Sequence, residues 1–85
     1  MPKRDGAETR RQRISQIAKD LQVAFRKQKE INGKEEIDLS RFIGYEMYNT
    51  GLTKEKVINY LEILELRGQC ELDSENNKIR KPVYQ

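Results

Sequence analysis

The feature that most constrains this chain is a row of apolar residues near its N-terminus that no breaker interrupts. Ile14, Ile17, Ala18, Leu21, Ala24 and Phe25 recur at steps of three and four. That spacing places them on one face of an α-helix, which turns once in about 3.6 residues. Neither Gly nor Pro occurs between Glu8 and Glu30, so a single helix is expected over that span. Its first turns, "TRRQR", have no apolar residues and are expected to project beyond the core. A helix with one apolar face must bury it against something, and the rest of the chain has to supply the partner.

The supply is limited. The chain has 85 residues, of which 35% are apolar and 36% charged. That length fits one core and no second domain. So little apolar content points toward disorder unless it is well placed, and here it is periodic. Residues 1–7, with Pro2 and Gly6, read as a flexible basic N-terminal arm, and residues 8–85 as one domain.

Beyond the first helix, Asn32-Gly33 is a turn signal. "EIDLS" alternates Ile37 and Leu39 with polar residues and predicts a very short strand. Asp38 or Ser40 is placed to cap a helix over Arg41–Tyr48, which would offer Phe42, Ile43 and Met47 to the core. Asn49, Thr50 and Gly51 end it. "LTKEKVINYLEILELRG" predicts a third helix. Thr53 is its cap, Glu55 suits its positive end, and Arg67 and Gly68 close it. Val57, Leu61 and Leu64 form its buried stripe, with Tyr60 at the edge. At about 100° per residue, Glu55, Asn59, Glu62, Ile63 and Leu66 fall opposite that stripe, with Lys56 on the flank. In the last segment, Cys70 and Leu72, then Ile79 and Val83, alternate with polar residues around "DSENN". This predicts a two-stranded hairpin, with Pro82 on an edge strand where no ladder N–H is needed.

Charge is polarised along the chain. Lys3, Arg4, Arg10, Arg11 and Arg13 against Asp5 and Glu8 give residues 1–13 a net +3. Lys78, Arg80 and Lys81 give residues 78–85 another +3, and the stretch between carries −3. Basic ends of this kind steer a polyanion toward them.

Several classes are disfavoured. There is no histidine, so Ser-His and Cys-His nucleophile systems and histidine metal sites are out. The one cysteine, Cys70, makes no internal disulfide and no zinc site, and it fits a reducing, cytoplasmic setting. The glycines are never clustered into a phosphate loop. "KEE" and "SEN" supply carboxylates on exposed loops, and a chain this small has little room for a cleft. No enzyme activity, metal or cofactor is expected. No run is long enough to span a bilayer, and no signal peptide or other membrane association is expected.

The segment "IDLSRFIGYEMYNTGLTKEKVINYLEILELRGQCELDSENNKIRKP" resembles the winged helix-turn-helix superfamily, in its small transcriptional-regulator type. Within it, "TGLTKEKVINYLEILELRG" is similar to the family's turn, recognition helix and Arg-Gly exit into the wing. Where the family often continues with two apolar residues, Gln69 and Cys70 stand here. The resemblance implies a mainly α chain with a small β-hairpin (α+β), three helices plus a two-stranded wing. It implies a duplex DNA-binding protein, a transcription regulator, with helix 53–67 in the major groove. Carried onto this sequence, Lys54, Glu55, Lys56 and Asn59 would face the groove. Asn59 suits an adenine edge, and Lys54 and Lys56 suit guanine or phosphate. The helix itself has as many acidic as basic residues, so backbone affinity would come from Lys78, Arg80 and Lys81 in the wing and Arg10, Arg11 and Arg13 at the arm.

Family members commonly act as two-fold dimers, and Val23, Ile63 and Leu66 lie off the core stripes, where a homodimer or a protein partner would pack. The alternative is a winged-helix protein-interaction module without direct DNA binding. A third reading, single-strand or RNA binding, would stack bases on Tyr45, Tyr48, Tyr60 and Tyr84. These are scattered over several elements and read better as core-edge residues, with buried bodies and wet hydroxyls.

Overall fold

A computed structural model describes the backbone of residues 6–82 and the side chains of residues 9–82. The elements run α1 (Gly6–Asn32), β1 (Glu36–Asp38), α2 (Leu39–Thr50), α3 (Lys54–Leu66), β2 (Glu71–Asp73) and β3 (Lys78–Arg80). The fold is mainly helical with a small antiparallel sheet of three strands. Helix α1 takes in Gly6 and Ala7, two residues that the sequence assigned to an arm. Residues 1–5 of that arm lie outside the described residues. The helix stops at Gly33, whose φ of 78° suits a residue without a Cβ and whose N–H reaches the Lys29 carbonyl at 2.8 Å.

Local chemistry sets the other helix ends. Asp38 caps α2 by accepting from the Arg41 N–H at 3.1 Å. Gly51, at φ 75°, closes α2 with its N–H on the Met47 carbonyl. Only Gly51, Leu52 and Thr53 separate α2 from α3. Thr50 braces this turn, its Oγ1 donating to the Glu46 carbonyl at 2.6 Å and accepting from the Leu52 N–H at 3.2 Å. Thr53 caps α3 by accepting from the Lys56 N–H at 3.2 Å. At the far end, Gly68 N–H bonds to the Glu65 carbonyl and Gln69 N–H to the Leu64 carbonyl, both at 2.9 Å, a Schellman closure with Gly68 at φ 78°.

The strand order is β1-β3-β2, so β3 is the central strand. Ile79 pairs with Ile37 on one side and Leu72 on the other. The expected hairpin exists, but β1 joins it because Ile37 and Ile79 are then buried together. Pro82 is therefore not on an edge strand. It lies beyond the ladder, whose last bond runs from the Lys81 N–H to the Glu35 carbonyl at 3.0 Å. Val83, expected to alternate with Ile79, lies outside the described residues.

The core unites Ile14, Ile17, Leu21 and Phe25 of α1 with Phe42 and Ile43 of α2 and Val57, Tyr60, Leu61 and Leu64 of α3. Ile37, Cys70 and Ile79 complete it from the sheet side. Each large side chain removed from water contributes roughly 1.5–3 kcal/mol. Three expectations change. Met47 is not a core residue; the inner face of α2 runs through Phe42, Ile43 and Glu46, and Met47 is turned about 100° away from Glu46. Tyr60 is a core residue and not an edge one. Ile63, expected opposite the core, is half-buried against it. Helix α3 meets α1, α2 and β2, and three neighbours cover a wider arc than one stripe. Leu66 is exposed, as its position opposite the stripe predicts.

Candidate nucleic-acid interface

The first two turns of α3 gather the four residues singled out there. Lys54, Glu55, Lys56 and Asn59 are all exposed, while Val57 and Leu61, between and beyond them, are fully buried. Among the described residues, none of these four side chains has a hydrogen-bond or ion-pair partner. They stand on a capped helix whose axis is fixed by the core, so the backbone presents them rigidly to whatever approaches. Farther along the helix, Glu65 turns toward the hairpin and its Oε2 accepts the Leu72 N–H at 2.9 Å.

The basic residues of β3 are placed differently from one another. Arg80 is held between two carboxylates: its Nε donates to Glu36 Oε2 at 3.1 Å and its Nη1 to Asp73 Oδ2 at 2.6 Å. These bonds, that to Asp73 first, raise the guanidinium's already high pKa. Asp73 in turn is lowered to about 2, first by a hydrogen bond from the Asn76 side chain and then by Arg80. Lys81 Nζ meets Glu35 Oε2 at 3.2 Å. Lys78 is half-buried and has no ion pair among the described residues. The Arg80 bond to Glu36 follows from the central position of β3, whereas its bond to Asp73 lies within the hairpin. The register sets Arg80 opposite both Glu36 and Glu71, and Lys78 opposite both Asp38 and Asp73. A lone hairpin would leave Arg80 without Glu36 on that side.

The hairpin tip does not swing free. Asn77 adopts φ 56°, and its carbonyl accepts the Leu39 N–H at 3.0 Å. Its Oδ1 accepts from the Ser40 N–H and Oγ at 3.1 and 2.8 Å, and its Nδ2 donates to Asp38 Oδ1 at 2.8 Å. The tip is thereby tied to the start of α2. Asp38 is lowered, chiefly by the Arg41 N–H and also by Asn77.

At the other basic end, Arg10 and Arg11 are exposed on the early turns of α1 and Arg13 is half-buried. Among the described residues none of the three makes an ion pair. Tyr45 and Tyr48 are exposed on α2, Tyr48 by 90%, so neither is the core-edge residue expected. Tyr84 lies outside the described residues.

Two features were missed in the sequence. One is Glu46, whose exposure is 0% and whose carboxylate oxygens both lack a hydrogen-bond partner. Burial, and then Asp20 of α1, raise it to about 8, so it is protonated at neutral pH. The signal was its spacing from Phe42 and Ile43 in "FIGYE". The other is a groove of about 670 Å3 bounded by α1, β1 and the start of α2. Room for a cleft therefore exists, and Glu36 of "KEE" lines it.

Cys70 is buried, its Sγ 3.8 Å from the Leu61 carbonyl. Burial, with Glu65 and Glu71 nearby, pushes the thiol up to about 11, so it holds its proton. Among the described residues no group of three or more acidic, cysteine or histidine side chains is placed to hold a metal ion. No helix there is long and apolar enough to cross a membrane. Comparison with protein-family models, with curated proteins and with solved structures gives no match.

Proposed function

We propose that this chain is a winged helix-turn-helix protein that binds duplex DNA, of the small transcriptional-regulator kind, with α3 entering the major groove. The observation that carries this reading is the set of free polar side chains on the first two turns of α3, directly after a three-residue turn from α2. A recognition helix needs its N-terminal residues unengaged and its opposite face anchored, because base edges are read by side chains that have no other partner. Asn59 pairs donor and acceptor with an adenine edge. Lys54 reaches a guanine edge, Lys56 takes the flanking phosphate, and Glu55 accepts from a cytosine amino group.

Backbone contacts fall to Arg10, Arg11 and Arg13 of α1, to Lys78, and to Lys81 once its single exposed bond to Glu35 opens. Arg80, bound by Glu36 and Asp73, holds the sheet together instead. Binding to a duplex over a salt series tests the proposal. Each phosphate contact adds roughly −0.9 to the slope of log K against log salt. A slope steeper than about −3 is expected, and no binding even at low salt overturns the reading.

The second reading, a protein-interaction module, draws on the carboxylates Glu55 and Glu62 exposed on α3 and on the pairing of Arg80 and Lys81 within the sheet. It expects no duplex binding at any salt.

A further inference from the structure

The groove bounded by α1, β1 and the start of α2 holds about 670 Å3, a size at which small-molecule sites are found. Its apolar lining comes from Val23 and Ile31 of α1, Ile37 of β1, and Phe42 and Tyr45 of α2. Val23, Ile31 and Tyr45 are half of the large apolar side chains that stand exposed among the described residues. The fold therefore collects in one concave place apolar surface that the core does not use.

The charged groups of the groove are unequally engaged. Its carboxylates are taken. Glu36 holds Arg80 at 3.1 Å. Asp38 accepts from the Arg41 N–H at 3.1 Å and from Asn77 Nδ2 at 2.8 Å. Asp20 accepts from Gln16 at 3.0 Å and lies beside the buried Glu46. The cations are not taken. Among the described residues the side chains of Lys27, Arg41 and Lys78 make no hydrogen bond and no ion pair. Arg41 and Lys78 act on Asp38 through charge alone, which puts both at one end of the groove, two cations about one carboxylate. Arg41 and Tyr45, four residues apart, share a side of α2, so a guanidinium stands next to an aromatic ring.

We propose that this groove binds a small aromatic carboxylate, with the acid group between Arg41 and Lys78 and the ring against Tyr45 and the apolar wall of α1. The charge pattern decides the sign of the ligand. An anion meets cations that have no other partner, whereas a cation would have to compete with Arg80, Asn77 or Gln16 for carboxylates already in use. The guanidinium of Arg41 presents N–H donors in the fork that a carboxylate fits. Lys78 is half-buried, and its charge acts more strongly there than in bulk water. Lys27, one turn from Val23 and one from Ile31, adds a third positive charge from the α1 wall. Phe42 and Tyr45 suit a flat body, because ring edges and faces pack on one another at fixed offsets. The site needs no second chain, and it is independent of DNA binding.

Amide-resolved NMR titration of the full chain tests it with three probes of one shape and different charge: 2-naphthoate, the neutral 2-naphthamide and the cationic 2-naphthylmethylammonium. 2-Naphthoate is expected to shift the amides of Val23, Ile31, Asp38 and Tyr45 and to saturate with a Kd below about 1 mM. The neutral amide should bind at least about tenfold more weakly, and the ammonium more weakly still. Arg41→Gln and Lys78→Gln should each raise the Kd for 2-naphthoate by about fivefold or more. Lys29→Gln removes the same charge from an exposed position outside the groove and should leave that Kd unchanged. The amide spectrum of each variant without ligand separates loss of binding from loss of fold, and Tyr45→Ala, at an exposed position, probes the ring contact with the charges intact. No saturable shift up to about 1 mM 2-naphthoate overturns the proposal. So does an amide that binds as tightly as the acid, charge variants that bind like wild type, or shifts centred outside the groove.

Discussion

Asn77 and Asp38, 39 residues apart in sequence, are joined by a 2.8 Å hydrogen bond that fastens the hairpin tip to the cap of α2. The same asparagine sits at φ 56° and also receives the Ser40 N–H and hydroxyl. One side chain thus satisfies a turn, a helix start and a sheet end.

Replacing Asn77 therefore removes two separable effects. Asn77→Gly loses the side-chain bonds but tolerates the left-handed backbone, whereas Asn77→Ala loses the bonds and adds roughly 1 kcal/mol of backbone strain. Urea unfolding should rank wild type above the glycine variant and the alanine variant last. Equal stability of all three would mean that the tip is not held by this residue.

The core account predicts that Leu61→Ala costs on the order of 2–5 kcal/mol, since Leu61 is fully buried in the core. That is a large part of what a domain of this size possesses. Lys54→Ala, on the exposed side of the same helix, should change stability by no more than about 0.5 kcal/mol. Thermal melts of the two variants compare the faces directly.

Glu46 gives a pH signature opposite to that of the surface carboxylates. Its folded pKa, about 8, is above the ordinary value of 4.5. Between those values the unfolded chain releases a proton that the folded chain keeps, so stability falls as pH rises through that window and levels off above it. Asp38 and Asp73, both lowered, act in the other direction: their contribution is present above the ordinary carboxylate range and is lost as pH falls. Stability should therefore peak at mildly acidic pH. Glu46→Gln should remove the decline between pH 5 and 8, an effect on the order of a few kcal/mol. Urea midpoints at those two pH values measure it, and a wild type equally stable at both would contradict the buried carboxyl.

Among the basic residues of β3 and Lys81 just after it, the structure predicts a split. Lys78→Ala and Lys81→Ala should each reduce the salt slope of duplex binding by up to about one unit. Arg80→Ala should lower the melting temperature and leave the slope nearly unchanged, because its partners are Glu36 and Asp73. A full unit of slope lost with Arg80 would place its guanidinium on phosphate.

What could be read in the sequence was the local chemistry. The stripe Ile14–Phe25, the caps Asp38 and Thr53 and the stops Gly51 and Gly68 each act over three or four residues, and each appears where its neighbours require it. What could not be read was long-range. Glu36 meets Arg80 across 44 residues, and three-residue strands alternate too briefly to reveal that β1 would join the hairpin. The central place of β3, and with it the second carboxylate on Arg80, follows from that pairing. Glu46 was missed because a carboxylate on a helix face reads as solvated. Its burial is a product of the tertiary fold, which also brings Asp20 of α1 beside it. On α3 the exposed Lys54, Lys56 and Asn59 were legible, since the helix period alone separates them from Val57 and Leu61.

The most direct test of DNA reading by α3 is the effect of Asn59→Ala on binding to a preferred duplex and to a shuffled duplex of the same length, both at fixed salt. Asn59 faces away from the core, so the variant should keep its stability to within about 0.5 kcal/mol. The account predicts a loss of about 1–3 kcal/mol on the preferred duplex and little change on the shuffled one. Equal losses on both, or no duplex binding by the wild type, would contradict it.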